Sequence, residues 1–99
     1  MTGTRSNGAV KVKVPTMLRA RVGGDAVVEG SGRTLREVLQ DLERRYPGST
    51  ATIVDQGGDL HRFVNVYLNG EDVRYLASLE TEIAAGDTVS ILPAVAGGS

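Results

Sequence analysis

Thr34-Leu35-Arg36-Glu37-Val38-Leu39-Gln40-Asp41-Leu42-Glu43-Arg44-Arg45-Tyr46 is the stretch on which the fold turns. Leu35, Val38, Leu39 and Leu42 fall at i, i+3, i+4 and i+7, and Tyr46 extends the stripe, so one face of a helix is apolar. Thr34 and Glu37 have capping-box spacing: the threonine oxygen can accept a backbone N–H, and the glutamate can reach back. Arg44 and Arg45 lie in the last turn, where cations suit the helix dipole. Pro47-Gly48 stops the helix.

Strand patterns flank this helix on both sides. Before it, Val10, Val12 and Val14 alternate with Lys11 and Lys13, which gives a strand with one dry and one wet face, ended by Pro15. Gly23-Gly24-Asp25 reads as a turn and Ala26 to Glu29 as the returning strand, with an undecided pattern from Met17 to Val22. After the helix, residues 48–59 read as loop, with Ile53-Val54 as an anchor. Phe63 to Leu68 is a strand, and Asn69-Gly70 is a hairpin signal because a type I′ turn needs positive φ at both positions. Asp72-Val73-Arg74 is expected to return. Leu76 to Ala85 is a connector with a helical turn that points Leu79 and Ile83 inward. Thr88 to Leu92 alternates again and ends at Pro93. The order strand, strand, helix, strand, strand, strand predicts an α+β domain, a mixed sheet covered on one face by one main helix. Residues 1–9 are expected to be a disordered extension, 10–93 the domain, and 94–99 a flexible tail.

Composition narrows the function. The chain has 99 residues, enough for one domain. Eleven basic against twelve acidic residues give a net charge of -1, which argues against nucleic acid or an anionic membrane as the main partner. There is no cysteine, hence no disulfide, thiolate metal site or thiol nucleophile. His61 is the single histidine, so a multi-histidine metal site is excluded. No apolar run approaches the ~18–20 residues of a membrane span. The first nine residues have no apolar segment of a secretion signal, and a cytoplasmic location is expected.

Candidate chemical groups mostly have a plainer reading. Gly30-Ser31-Gly32 begins like a dinucleotide fingerprint, but Leu35 occupies the third glycine position; a loop with an N-cap fits better. His61 has no serine–acid constellation. Glu71-Asp72 and Glu80-x-Glu82 fall in turns or connectors, where solvated acids are expected. Arg44-Arg45, Arg62 and Arg74 read as partner contacts or as solvated charges. No active site assembles, so the chain is not expected to be an enzyme, and no bound metal or cofactor is expected.

The C-terminus is different. After Pro93 the chain runs through Ala94-Val95-Ala96 into Gly97-Gly98. Five residues can extend ~17 Å, and glycines let other groups approach the backbone closely. Gly86-Asp87-Thr88-Val89-Ser90-Ile91-Leu92-Pro93-Ala94-Val95-Ala96-Gly97-Gly98 resembles the final strand and tail of the ubiquitin-like sulfur-carrier family. Val64 to Arg74 resembles the hairpin before it, and Leu60-His61-Arg62-Phe63 with the Leu92 to Gly98 ending is similar to the branch serving cysteine synthesis in actinobacteria.

That resemblance implies a β-grasp fold and a role as a protein co-substrate. Sulfur would travel as a thiocarboxylate on Gly98, on the tail Val95, Ala96 and Gly97. An E1-like enzyme would use ATP to adenylate Gly98, and sulfide or a persulfide would displace AMP. In the cysteine branch the implied acceptor is a pyridoxal-phosphate enzyme, and the implied releasing enzyme is a JAMM-type zinc metallopeptidase. Family members end at the second glycine, so Ser99 is expected either to be removed by a peptidase or to be foreign to the native chain. Phe63, Pro93 and Val95 are expected to form an apolar patch at the tail root, with Arg62 and Arg74 at its rim; Phe63 reads equally as core. A thiamine, molybdopterin or natural-product pathway, a ubiquitin-like modifier joined to lysines, and a plain binding module are the other readings.

Overall fold

The computed structural model describes residues 9–93. Five strands and one α-helix follow in chain order: β1 (Ala9–Lys13), β2 (Val27–Ser31), α1 (Leu35–Arg45), β3 (Val64–Leu68), β4 (Glu71–Asp72) and β5 (Thr88–Pro93). They form one sheet in the order β2-β1-β5-β3-β4. β5 runs parallel to β1, and the other pairings are antiparallel, so the sheet is mixed as expected.

Alternation sets the two faces of the sheet. Val12 pairs with Val28 and Val66 with Ile91, and all four are buried under α1. Lys11, Lys13, Thr88, Ser90, Leu92, Asn65 and Tyr67 hold the intervening positions and form the open face. α1 lays Leu35, Val38, Leu39 and Leu42 onto the dry face. This arrangement is the β-grasp.

The helix cap differs in detail from the sequence pattern. Glu37 N–H donates to Thr34 Oγ1 at 3.3 Å, but the Glu37 carboxylate accepts from Arg33 N–H at 2.8 Å, one residue earlier than a capping box requires. The backbone explains the shift: Thr34 is bridged to Glu82, and Ile83 N–H donates to Arg33 O.

Other boundaries move. Ala9 already pairs with Ser31, so the first strand starts inside the expected extension. The segment Thr16–Val22, undecided from sequence, is a 3-10 helix that buries Leu18 and Val22. Phe63 precedes β3 rather than opening it. The return strand is Glu71–Asp72, not Asp72 to Arg74: Asp72 Oδ1 accepts from Arg74 N–H at 2.9 Å, which starts a 3-10 turn over Val73–Tyr75. Asn69 and Gly70 have φ of 51° and 90°, as a type I′ hairpin demands. A further 3-10 turn, Ser78–Glu80, buries Leu79, and Ile83 is buried beyond it. No helix among the described residues is long and apolar enough to cross a membrane.

Candidate functional site

The site is the end of the sheet from which the C-terminal segment departs. β5 lies between β1 and β3, so the strand leading into that segment is held by hydrogen bonds on both sides. Its last residue, Pro93, pairs with Val64. Strand, proline and pairing partner therefore fix where the tail begins.

A turn anchored in the core presents the residues just before β3. Ile53 is buried, and its carbonyl accepts from His61 N–H at 2.7 Å; the His61 carbonyl then accepts from Val64 N–H at 3.1 Å. Arg74 closes the turn from β4's side. Its Nη2 donates to His61 O at 2.7 Å and its Nη1 to Asn65 Oδ1 at 3.2 Å. Phe63 is left 51% exposed, which decides against its being core. The Arg62 guanidinium lies 5.7 Å from the centre of the Phe63 ring, within cation–π range, and the His61 ring lies at 5.9 Å.

The neighbouring surface is apolar too. Leu92 sits on the open face opposite Asn65 and is 49% exposed. Around the edge of the sheet, Met17 is 68% exposed and borders a cleft of about 210 Å³ with Leu18, Arg21, Thr52, Val64 and Ile91. Phe63 and Arg62 thus lie at the expected place. Arg74 lies there as well, but as the pin of the turn more than as a free rim charge. Gly98, Gly97, Ala96, Val95 and Ser99 lie outside the described residues.

Leu92 and Met17 are missing from the sequence-based patch. A signal existed for Leu92: with Val89 and Ile91 inward, the next apolar residue must point out. None existed for Met17, because a 3-10 helix has neither strand nor α-helical periodicity.

Arg44 and Arg45 are both engaged within the chain. Both pair with Asp41 at 2.8 Å, and Arg45 also donates to Glu29 O at 2.8 Å. Asp41 is buried and accepts from Ser31 N–H at 3.1 Å, so this cluster ties α1 to β2. Among the expected surface acids, Asp72 caps a turn and Glu80 pairs with Arg36 at 2.8 Å.

The sequence pattern of the ThiS family matches residues 12–98, which takes in the whole sheet from Val12 onward and the Gly-Gly ending. The chain belongs to the ThiS family. It is 53% identical over 91 residues to the sulfur carrier protein CysO of Mycobacterium tuberculosis, covering 90% of this chain and 98% of that one. A crystal structure of the Amycolatopsis orientalis BexX/CysO complex superimposes with a TM-score of 0.86 at 51% identity, covering 91% of this chain and 100% of that one. The solution structure of small archaeal modifier protein 1 from Methanosarcina acetivorans matches with a TM-score of 0.79 at 33% identity, covering 93% of this chain and 98% of that one. The ThiS-family match spans both the tail root, Leu92-Pro93, and Gly97-Gly98. The 53%-identical relatives bear the name sulfur carrier protein.

Proposed function

We propose that this chain carries sulfur as a thiocarboxylate on Gly98. The observation that carries the reading is a Gly-Gly ending, placed just past the last strand of a ThiS-family sheet, in a chain with no cysteine. Without a thiol of its own, the protein has a terminal carbonyl as the place to hold sulfur covalently.

The chemistry has two steps. The Gly98 carboxylate attacks the α-phosphorus of ATP on an E1-like enzyme, and pyrophosphate leaves. Sulfide then attacks the carbonyl carbon; AMP leaves with the C–O bond electrons, and Gly98–COS⁻ remains, whereas a persulfide donor leaves an acyl disulfide that a second thiol cleaves by exchange, forming a disulfide with the donor and releasing the same Gly98–COS⁻. Ser99 must be absent for Gly98 to present a carboxylate, so a peptidase removes it first. The tail Val95-Ala96-Gly97 enters the enzyme, while Phe63, Pro93, Val95 and Leu92 dock at the channel mouth and Arg62 lies beside them. ATP belongs to the activating enzyme. The similarity to CysO favours cysteine synthesis, with a pyridoxal-phosphate enzyme as acceptor and a JAMM-type zinc metallopeptidase as releasing enzyme. The CysO of the Amycolatopsis complex is paired with BexX, which supports docking of this chain on a further partner protein.

The likeness to an archaeal modifier protein favours one competing reading, conjugation of Gly98 to lysines. One experiment separates them. The chain, with and without Ser99, is incubated with ATP, an E1-like enzyme and sulfide and then weighed intact. Replacement of one oxygen by sulfur on the form ending at Gly98 is expected. Lysine adducts without that species would establish the modifier, and an unchanged mass would refute both readings.

A further inference from the structure

We infer that the tail-root end of the domain is a cationic collar that docks on a partner protein whose tail channel opens through an acidic surface, with Lys13, Arg21 and Arg62 as the contact charges. The inference rests on the carrier reading and adds the chemistry of the partner.

Of the carboxylates towards this end of the molecule only Asp41 is neutralised, by two arginines; Glu43 and Asp55 are held by neutral groups and keep their charge. Asp41 is held by Arg44, Arg45 and the Ser31 amide. Glu43 accepts from the Gly48 and Thr50 amides and the Thr50 hydroxyl. Asp55 accepts from the Gly57 and Asp59 amides. Asp25, Asp59 and Glu29, the last on the open face diagonal to Lys13, are the acids here whose side chains hold nothing among the described residues.

The contact charges are not neutralised in this way. All three ion pairs among the described residues use arginines of α1. Arg21 donates to a neutral carbonyl, Gly48 O, at 3.2 Å, which leaves its charge uncompensated, and it lines the cleft beside Val64 and Ile91. Arg62 rests against Phe63 and is exposed. Lys13 is exposed on the open face beside Ser90, diagonal to Leu92. Arg74 keeps its charge as well, but it is set apart from the contact charges because its guanidinium pins the turn through His61 O and Asn65 Oδ1.

The opposite end of the sheet has the reverse balance. Glu71 and Glu82 are exposed there, and Asp87 lies at the Asn69 turn, against Arg33. Lys13, Arg19, Arg21, Arg62, Arg74 and the second arginine on Asp41 make six positive charges against Asp25, Glu29, Glu43, Asp55 and Asp59, so a chain of net charge -1 is weakly positive where its tail leaves and negative where its hairpin turns. Such a distribution orients the molecule in a partner's field even though the net charge gives no attraction. Exposed Phe63, Leu92 and Met17 inside a ring of cations have the anatomy of a protein interface, an apolar centre with a charged rim. Three cations neutralise too few phosphates to hold nucleic acid firmly at physiological salt.

Stopped-flow association of the full chain with the E1-like activating enzyme, over a range of ionic strength, tests the collar. Arg62→Glu, Arg21→Glu and Lys13→Glu should each lower the association rate constant about three- to ten-fold at low salt and flatten its salt dependence. Arg33→Glu makes the same charge change at the far end and should leave the rate within about two-fold of the parent. Thermal melts check that each variant folds, and Arg62→Ala serves should the glutamate variant fail. Equal slowing by Arg33→Glu, or association of the parent chain insensitive to salt, overturns the collar. So does tighter binding of the parent chain to a single-stranded RNA oligomer than to the enzyme. Because binding is read apart from product mass, a form ending at Gly98 that associates as expected but never gains sulfur leaves the collar standing and refutes the carrier reading.

Discussion

A methyl group at Gly32 would lie 2.6 Å from Glu37 Cβ and 2.7 Å from Val38 N. Nothing there can move aside, because the close atoms belong to the helix backbone and its first carbon. Gly32→Ala should cost about 1–3 kcal/mol in urea unfolding, the range for forcing extra volume into a packed site. At Gly30 the nearest atom is Val38 Cγ1 at 3.0 Å, a side-chain methyl, so Gly30→Ala should cost less. The two glycines that resemble a nucleotide fingerprint are thus explained by the approach of β2 to α1. Sequence could show that the fingerprint was incomplete; the contact that requires Gly32 is tertiary and has no local signature. Glu43 makes the same point for a charged residue. The Thr50 hydroxyl, then the Gly48 and Thr50 amides, hold its carboxyl below the ordinary range. A carboxylate with a lowered folded pKa contributes stability above the unfolded value and loses it as pH falls through the folded one. Glu43→Gln should therefore be less stable than the parent at pH 7. The difference should shrink as pH drops below about 4.5, as read by denaturant midpoints across the acid range.

Elements differ in how much of themselves they write into local sequence. α1 was legible to within a residue at each end, because stripe, cap and stop agree. β2 was legible as an apolar run after a turn, though only as far as Glu29 of its Val27–Ser31, and β1 and β5 were legible from alternation. β4 was not: it has two residues, too few for a period, and an aspartate cap bends the chain at once into a 3-10 turn. The segment between α1 and β3 showed only its anchor, the buried Ile53, since Glu43 and Asp55 hold the rest through side chain to backbone bonds. Ile53 and His61 then fasten it to β3. At this scale Asp41 is the informative residue. It satisfies the Ser31 amide of β2 and two arginines of α1, so Asp41→Ala removes the tie between strand and helix and should cost about 1–3 kcal/mol, measured by thermal or urea unfolding. Arg74 is the corresponding tie for the tail-root turn. Arg74→Lys keeps the charge and loses the forked contact, so it should weaken binding of the activating enzyme by loosening the presentation of Phe63, yet leave the salt dependence of association unchanged. That second readout separates a positioning residue from a contact charge such as Arg62.

At the scale of the whole molecule, folding and docking are divided between two consecutive residues of β5. Ile91 is buried against Val66 under α1, and Leu92 stands on the open face opposite Asn65. One step along a strand exchanges the core for solvent. Ile91→Asp places a carboxylate among aliphatic side chains and should cost upwards of about 4 kcal/mol, enough to unfold a domain of this size. Leu92→Asp changes a half-exposed position and should move stability by less than about 1 kcal/mol. Its effect should appear elsewhere. A negative charge in the middle of the apolar surface opposes an acidic channel mouth, so affinity for the activating enzyme should fall ten-fold or more. Melting curves and binding isotherms on the two variants give the comparison. A Leu92→Asp chain that folds and binds like the parent would remove Leu92 from the docking surface, and with it the argument that β5 both closes the core and presents the tail. Retained binding is not an outcome Ile91→Asp can show without first restoring the fold, so the pair distinguishes a lost interface from a lost structure.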